Sequence, residues 1–543
     1  MTTTLTHAGL NAWWQAATEG HLCADLKESL RKVDQSFLVL DGLQLAQGGS
    51  LSFSAASPGG EARALKAMLP ALHPSALGDP MFRQQHGVRY AYVQGAMANG
   101  IASEALVEAT CEAGGLGFFG AAGLHPERVE KAIDRLQGSL GDRPYGFNFI
   151  HSPNEPDLEA AISELYLRRG VRRVEAAAFL GLTLPLVKYR LAGIHRDAQG
   201  QVVTPNQVFA KISRVEVAQK FLAPAPANML ATLVEQGFLS AEQAELAALV
   251  PVAEDITAEA DSGGHTDNRP SVCLIPTMLA LRDQLQAQYG YARVPRVGAA
   301  GGMATPYSVC AAFAMGAGFV VTGSVNQACL ESGTSDMVRQ MLAQARQADV
   351  AMAPAADMFE MGVNVQVLKW GTMFPVRAKK LYELYRRYDS LEALPAAERQ
   401  MLEKDYLRTS IEQEWENTRR FFEQRDPKQN ERAARDPKHK MALVFRSYLG
   451  RASGWANQGL ADRKVDFQIW CGPAMGAFNE WVKGSPLEKV EQRRAGLVAH
   501  NLLLGAAYLT RINLLRHQGV ELPAELCQFH PLTAEQISGY LGA

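Results

Sequence analysis

The sequence predicts an α/β protein: a (β/α)₈ TIM barrel with a small N-terminal region and a C-terminal helical subdomain. Three observations carry this. Between residues 88 and 325, short apolar stretches alternate with amphipathic helical ones. Such alternation implies parallel strands joined by helical crossovers. About eight such units fit within about 240 residues, which suits a closed barrel better than an open doubly wound sheet. The last two units end in glycine turns (GAAGG and VTGS) that lead into helical stretches. In a barrel, those two loops commonly cradle a phosphate.

Each element is justified in turn. Residues 1–80 read as a lead-in region, with a helix over 22–33, then short strands in SFLVLDG and SLSFSA around a Gly48-Gly49 turn. The loop LPALHPSALGDP, with prolines at 70, 74 and 80, leads into the barrel, residues 81–375. Its strands lie in RYAYVQ, GLGFFGA, YGFNFIH, VRRVEAAAF, QVFAKIS, DITAEA, PRVGAAGG and GAGFVVTGS. Helices are expected over 103–113, 126–138, 156–169, LTLPLVKYRLAGI, 214–222 and 306–316, with a two-helix insertion near 226–250. Residues 376–543 read as the helical subdomain. Its first part, 376–440, holds 16 basic and 13 acidic side chains of mixed sign, which favours a solvated helical face over a binding surface. Its later part, with LVAHNLLLGAAYLTRINLL, is apolar enough to pack on the barrel.

Composition narrows the function. The chain has 543 residues, 47% apolar and 20% charged, with a formal net charge of −2. This excludes a mainly disordered chain and gives no global reason to bind nucleic acid. The run from Val309 to Thr322 is too short to span a bilayer, and MTTTLTHAGLNAWWQ lacks the pattern of a secretory signal. The seven cysteines are scattered, odd in number and without a CxxC, which suggests a reducing compartment. A cytoplasmic protein with no membrane span is therefore expected. No P-loop, GxSxG elbow, HExxH or cysteine cluster is present, so no metal site is expected.

The residues that carry chemistry are few. In VPRVGAAGGMATPYSVC, Gly301 and Gly302 let backbone amides approach a ligand, Thr305 suits an N-cap and Pro306 the first helical position. Gly323 and Ser324 repeat the arrangement one unit later. From spacing alone the ligand is either a phosphorylated cofactor or a phosphorylated substrate. In DITAEADSGGHTDNRP, a strand ends in an acidic, glycine-rich loop carrying His265. At a barrel mouth such a histidine is a candidate for proton transfer, although loop histidines also serve as turn residues. Lys211 ends its strand and Asn148 lies within YGFNFIH; both are candidates for the ligand site or for satisfied polar residues at the mouth. GGLGFFG matches GxGxxG by letter, but a helix precedes the glycines and the strand runs through them, which is wrong for a dinucleotide fingerprint.

GAMANGIASEALVEATCEAGGLGFFGAAG, EADSGGH, GAAGGM and VTGS resemble the flavin-dependent barrels of the nitronate monooxygenase and 2-nitropropane dioxygenase superfamily. LTLPLVKYRLAGI, FAKISRVEVAQKFLAP, DMFEMGVNVQVLKWGTMFPVRAKKLYELYRRYDSLEALP and IWCGPAMGAFNEWVKGS resemble its PfaD branch, the trans-acting enoyl reductases of polyunsaturated fatty acid and polyketide synthases. The resemblance runs from residue 70 to 525. It implies FMN in the barrel, its phosphate on Gly301, Gly302, Met303, Gly323 and Ser324. It implies that Gly95, Ala96 and Met97 lie against the flavin ring, that Asn148 and Lys211 contact the flavin, and that His265 is the active-site histidine. It further implies NADPH or NADH as hydride donor, an enoyl thioester on an acyl carrier protein as substrate, and a synthase assembly as partner. Two alternatives stand beside this: an oxidase of alkyl nitronates, and a non-catalytic docking component. A homodimer is the base-rate expectation. The superfamily often reads Glu-Ala-Gly-Gly-His where this chain reads Glu259-Ala260-Asp261-Ser262-Gly263-Gly264-His265. The two extra residues either shift His265 or give Asp261 a role.

Overall fold

Eight strands close into one parallel barrel: β1 (Tyr92–Gln94), β2 (Leu116–Phe119), β3 (Tyr145–Ile150), β4 (Arg173–Ala177), β5 (Gln207–Ile212), β6 (Asp255–Glu259), β7 (Arg296–Ala300) and β8 (Val320–Thr322). Each neighbours the next in sequence, and β8 pairs back onto β1. The structure, a computed structural model, describes residues 11–16, 19–153 and 155–542. Helices α1 (Glu104–Glu112), α2 (Pro126–Leu140), α3 (Pro156–Arg168), α4 (Leu184–Leu191), α5 (Val215–Leu222), α6 (Ser271–Tyr289), α7 (Pro306–Ala314) and α8 (Asp336–Gln344) follow the strands. Before β6 the chain makes the expected two-helix excursion, Ala227–Glu235 and Ala241–Ala247. No helix was expected between β6 and β7, yet α6 fills that gap with 19 residues. Pro276 inside it and an even spread of apolar residues hide its helical period.

The barrel's lower core is a stack of rings. Phe82 lies 4.6 Å from Phe319 and 6.1 Å from Phe209, and Phe118 lies 5.0 Å from Phe209. Two strand glycines make room for them. A Cβ at Gly146 would come within 2.3 Å of the Phe118 ring, and one at Gly298 within 2.3 Å of the Phe319 ring. Large and small residues thus alternate in layers, which fills the barrel instead of leaving a pore.

The short helix Pro80–His86 closes the lower end of the barrel over a buried charge network. Arg296 donates to both oxygens of Asp255 at 2.7 and 2.8 Å, and His86 Nε2 lies 3.0 Å from Asp255. Burial opposes ionisation of Asp255, but Arg296 and His86 outweigh it and hold the carboxyl well below its ordinary value. Removing one partner of a buried pair leaves an uncompensated charge, at a cost of about 3–5 kcal/mol. Asp255→Ala is expected to lose about that much in urea unfolding. The depressed pKa means that Asp255 stabilises the fold fully above the unfolded carboxyl value, ~3.9. That contribution is lost as the pH falls from there toward the folded value, and the variant should lack this part of the acid transition.

Residues 11–69 form a six-stranded antiparallel sheet, richer than the two strands read from the sequence. Its strands are short and half-exposed, so their alternation is weak. The helix expected at 22–33 is confined to Leu26–Arg31, capped by Asp25. The long helix α11 (Ala495–His517) ties this region to the barrel. Its buried Arg511 donates to the carbonyls of Leu30, Lys32, Gln35 and Pro70. A Cβ at Gly505 would come within 2.6 Å of Pro306, so only glycine lets α11 cross α7 this closely.

Between barrel and C-terminal helices lies a small sheet of Gly264–His265, Asn364–Leu368 and Val350–Pro354, which was not expected. Helices α9 (Ile411–Arg425) and α10 (Pro437–Gln458) then cross above the barrel mouth. No described helix is long and apolar enough to cross a membrane.

Candidate active site at the barrel mouth

A cavity of about 880 Å³ opens at the C-terminal ends of the strands, beneath α9 and α10. Every site residue named from the sequence lines it: Gly95, Ala96, Met97, Asn148, Lys211, His265, Gly301, Gly302, Met303, Gly323 and Ser324. The strands bring them together, since ligand-facing loops of a barrel share one end.

The glycines after β7 and β8 form a cradle. Gly301 and Gly302 take φ of 78° and 77°, a left-handed conformation that favours glycine. A Cβ at Gly301 would sit 2.6 Å from the Ala260 carbonyl carbon, so the turn is pressed against the end of β6. Gly302 and Gly323 instead face open space, with nothing within 4 Å of a Cβ there. Ser308 Oγ accepts from the amides of Ala304 and Thr305, and Thr305 caps α7 as expected. The amides of Gly302, Met303, Gly323 and Ser324 have no such partner among the described residues. Free amides beside open glycines at two helix starts suit an anion such as a phosphate.

The cavity floor carries a charge triad from three adjacent strands, with Glu175 buried and Lys211 and Glu259 half-buried. Lys211 Nζ on β5 lies 3.2 Å from Glu259 Oε1 on β6. Burial alone would lower the Lys211 pKa, but Glu259 and Glu175 outweigh it and raise it. Burial pushes Glu175 on β4 up to about 7, with Lys211 opposing and Glu259 adding to the rise. Glu175 accepts from the Ala96 amide at 3.1 Å and so fixes the loop after β1. Asn148 Nδ2 donates to the Glu175 carbonyl at 3.2 Å. A fixed ammonium in this floor stabilises negative charge that develops on a ligand above it.

His265 sits on the short strand Gly264–His265, paired with Val365 and Gln366. Its Nε2 lies 3.2 Å from Asp357 Oδ1, which leaves Nδ1 with no protein partner among the described residues. Burial works to lower the His265 pKa, but Asp357 and Glu259 outweigh it and raise it above the ordinary imidazole value. The two extra residues in its loop have a visible use. Asp261 Oδ1 accepts from Gln366 and Asn268, at 2.7 and 2.8 Å, and Asp261 is not part of the cavity wall. Asp261 therefore ties the loop down, and His265 is the loop's titratable side chain facing the cavity. Gly263 packs on Cys471, where a Cβ would meet the backbone at 2.8 Å, and the Gly472 amide donates to Ser324 Oγ at 3.2 Å. The C-terminal CGP turn thus joins the histidine loop to the second half of the cradle.

Sequence reading missed Glu175, Glu259 and Asp357. The first two carried a signal, Glu175 as the one acid of the strand RVEAA and Glu259 as an acid at the C-terminal end of DITAE. Asp357 carried none, since it lies 92 residues beyond its partner. The charged segment 376–440 is also more than a solvated face. Its outer charges pair locally, as Arg419 does with Glu416 and Glu423, while Thr418, Phe421 and Phe422 of α9 line the cavity, joined by Leu443 of α10 just beyond the segment.

Residues 81–383 match the family model described as nitronate monooxygenase. Residues 388–467 match that of the inserted helical domain of [acyl-carrier-protein] S-malonyltransferase. The chain is 49% identical to a polyunsaturated fatty acid synthase subunit of Thraustochytrium sp., over 81% of this chain and 30% of that protein. It is 46% identical to polyketide biosynthesis protein PksE of Bacillus subtilis, over 80% of this chain and 56% of that protein. It thus spans less than two thirds of either relative. The crystal structure of the enoyl reductase domain of MlnA, from the macrolactin biosynthesis cluster of Bacillus amyloliquefaciens, superposes with a TM-score of 0.77 at 38% identity, covering 82% of this chain and 99% of that one.

Proposed function

The chain belongs to the nitronate monooxygenase family, in its PfaD-like enoyl reductase branch, and from that premise we propose that it is a trans-acting enoyl reductase. Its substrate is an α,β-unsaturated thioester on an acyl carrier protein, within a polyketide or polyunsaturated fatty acid synthase assembly. The observation that carries this reading is the joining, in one cavity, of an anion cradle, a half-buried lysine on the floor and the His265–Asp357 pair.

FMN fits the cradle: Gly301, Gly302, Met303, Gly323 and Ser324 would hold its phosphate, and Gly95, Ala96, Met97, Asn148 and Lys211 its ring. When bound, FMN supplies hydride transfer from NADPH or NADH to carbon. The chain's own residues do the rest. Lys211 keeps a positive charge under the ring site. His265 Nδ1, protonated, donates to the thioester oxygen, where negative charge develops as the β-carbon is reduced. The roof helices α9 and α10 line the upper part of the cavity and leave room for an acyl chain along Ile150, Phe422 and Leu443.

The nitronate reading rests on the same barrel, but it gives no use to the roof at 388–467. The two are separated by turnover. Reduction of a crotonyl thioester by NADPH without oxygen is expected, and oxidation of an alkyl nitronate with oxygen is not. The reverse result would move the chain to the oxidase reading.

A further inference from the structure

A second histidine lines the same cavity and has no part in the reading above. His151 follows β3, and its Nδ1 lies 2.9 Å from Oε2 of Glu159 on α3. Glu159 is 4% exposed. Its Oε2 also accepts from the Ser152 amide at 3.2 Å, and its Oε1 accepts from the Thr183 hydroxyl. Burial opposes ionisation of Glu159, but the hydrogen bonds from His151, Thr183 and Ser152 outweigh it and hold the carboxyl below its ordinary value. A carboxylate there directs the Nδ1 proton of His151 toward itself. Nε2 is left with no protein partner among the described residues.

The backbone is arranged to keep this ring in place. The Phe179 ring stacks on it at 5.1 Å and 26°. Phe179 follows Ala178, which has a φ of 62°, a left-handed conformation that a non-glycine residue rarely adopts. Ala178 itself lines the cavity. One imidazole is thus held by a buried carboxylate on one nitrogen, with the other nitrogen free: the arrangement of a general acid–base pair.

Its place in the barrel fits that role. The glycine cradle follows β7 and β8, and β3 stands four strands from β7 in a ring of eight. A ligand anchored at the glycines reaches His151 only with the end that lies across the mouth. The wall beside His151 is apolar, with Ile150, Leu158 and Ile162.

We propose that His151 donates the proton to the α-carbon of the enoyl thioester, with Glu159 as its positioning residue, while His265 serves the thioester oxygen. This rests on the enoyl reduction proposed above. As a hydride derived from NAD(P)H bonds to the β-carbon, the π electrons of the double bond shift to form the enolate. The enolate then bonds the proton of His151 Nε2 at the α-carbon, and the N–H electron pair stays on the ring. The neutral imidazole keeps its Nδ1 proton on Glu159 and takes a new Nε2 proton from solvent. The substrate gains one hydride and one proton, and NAD(P)H loses the hydride.

The charged groups around His151 are Glu159 and, at the start of α3, Glu155, which Arg425 of α9 binds at 2.6 and 3.1 Å. Asp157 is paired with Lys428. Phe179 and the hydroxyl of Thr183 face it from the β4 side, and the Lys211–Glu259 and His265–Asp357 pairs lie elsewhere on the cavity wall.

The test uses the flavin-loaded protein, reduced anaerobically with NADPH and then mixed with a crotonyl thioester. In His151→Gln, reoxidation is expected to slow about 100-fold, far beyond any change in its reduction by NADPH. The pH profile of the reoxidation rate should change in this variant. In Glu159→Gln, which keeps the imidazole but loses the carboxylate, the profile should also depart from that of the unaltered protein. Reoxidation of His151→Gln within twofold of the unaltered protein, or a Glu159→Gln profile superimposable on it, overturns the assignment. Should His151→Gln fail to hold flavin, the Glu159→Gln profile decides. Failure of the unaltered protein to be reoxidised by the thioester removes the enoyl-reductase reading, and this assignment with it.

Discussion

His265→Ala is expected to retain bound flavin and to lose about 100- to 1,000-fold in enoyl reduction, the usual cost of removing one oxyanion donor. The side chain is not part of the glycine cradle. Its ring is held by Asp357 on the far side, and the short strand that carries it pairs through backbone with Val365 and Gln366. Removing the imidazole therefore takes away a hydrogen-bond donor without loosening the loop. The pH dependence gives a second reading of the same residue. Asp357 and Glu259 raise the His265 pKa against burial, so the imidazolium persists above the ordinary value near 6.5. Thioester reduction should hold at low pH and decline as pH rises through that elevated pKa, and the variant should lack this decline. Wild-type turnover in the variant would remove His265 from the reaction.

The second large effect is expected at Gly323→Val. Gly323 has a negative φ, −133°, outside the left-handed region, and nothing lies within 4 Å of a Cβ there. The barrel should therefore fold with the substitution. The isopropyl group would occupy the space where the free amides of Gly323 and Ser324 meet an anion. Flavin affinity should fall about 100-fold, or ~2.7 kcal/mol, with unfolding shifted much less. Gly301→Val is the contrasting case, because its Cβ would strike the backbone of Ala260 at 2.6 Å and its φ is 78°. That variant should lose both stability and flavin. Titration of the apoproteins with FMN and urea unfolding separate the two.

These contrasts show where the sequence was legible. The barrel strands could be read because they are short apolar runs, most with a helical stretch after them, and the cradle because glycine before a helix start has few other uses. Thr305 and Pro306 fall at the cap and first helical position that local chemistry assigns them. The rest depends on contacts distant in the chain. Nothing local marks Asp357 as the partner of His265, or Cys471 and Gly472 as the wall behind Gly263. The roof was hidden for another reason. Its charged residues satisfy the pattern of a solvated helix on the outer face, and one inward stripe of α9 and α10 faces the cavity instead of solvent. His151 was visible only as the last letter of a strand, and its carboxylate partner appears only when α3 folds back along β3.

The most direct test of the account is the visible spectrum of the purified protein, before and after anaerobic NADPH and again after a crotonyl thioester. Flavin bands that bleach with NADPH and return on addition of the thioester without oxygen are expected. Bands that return only with oxygen, or a protein that stays colourless after incubation with FMN, would contradict the assignment of the cradle and the histidine to enoyl reduction.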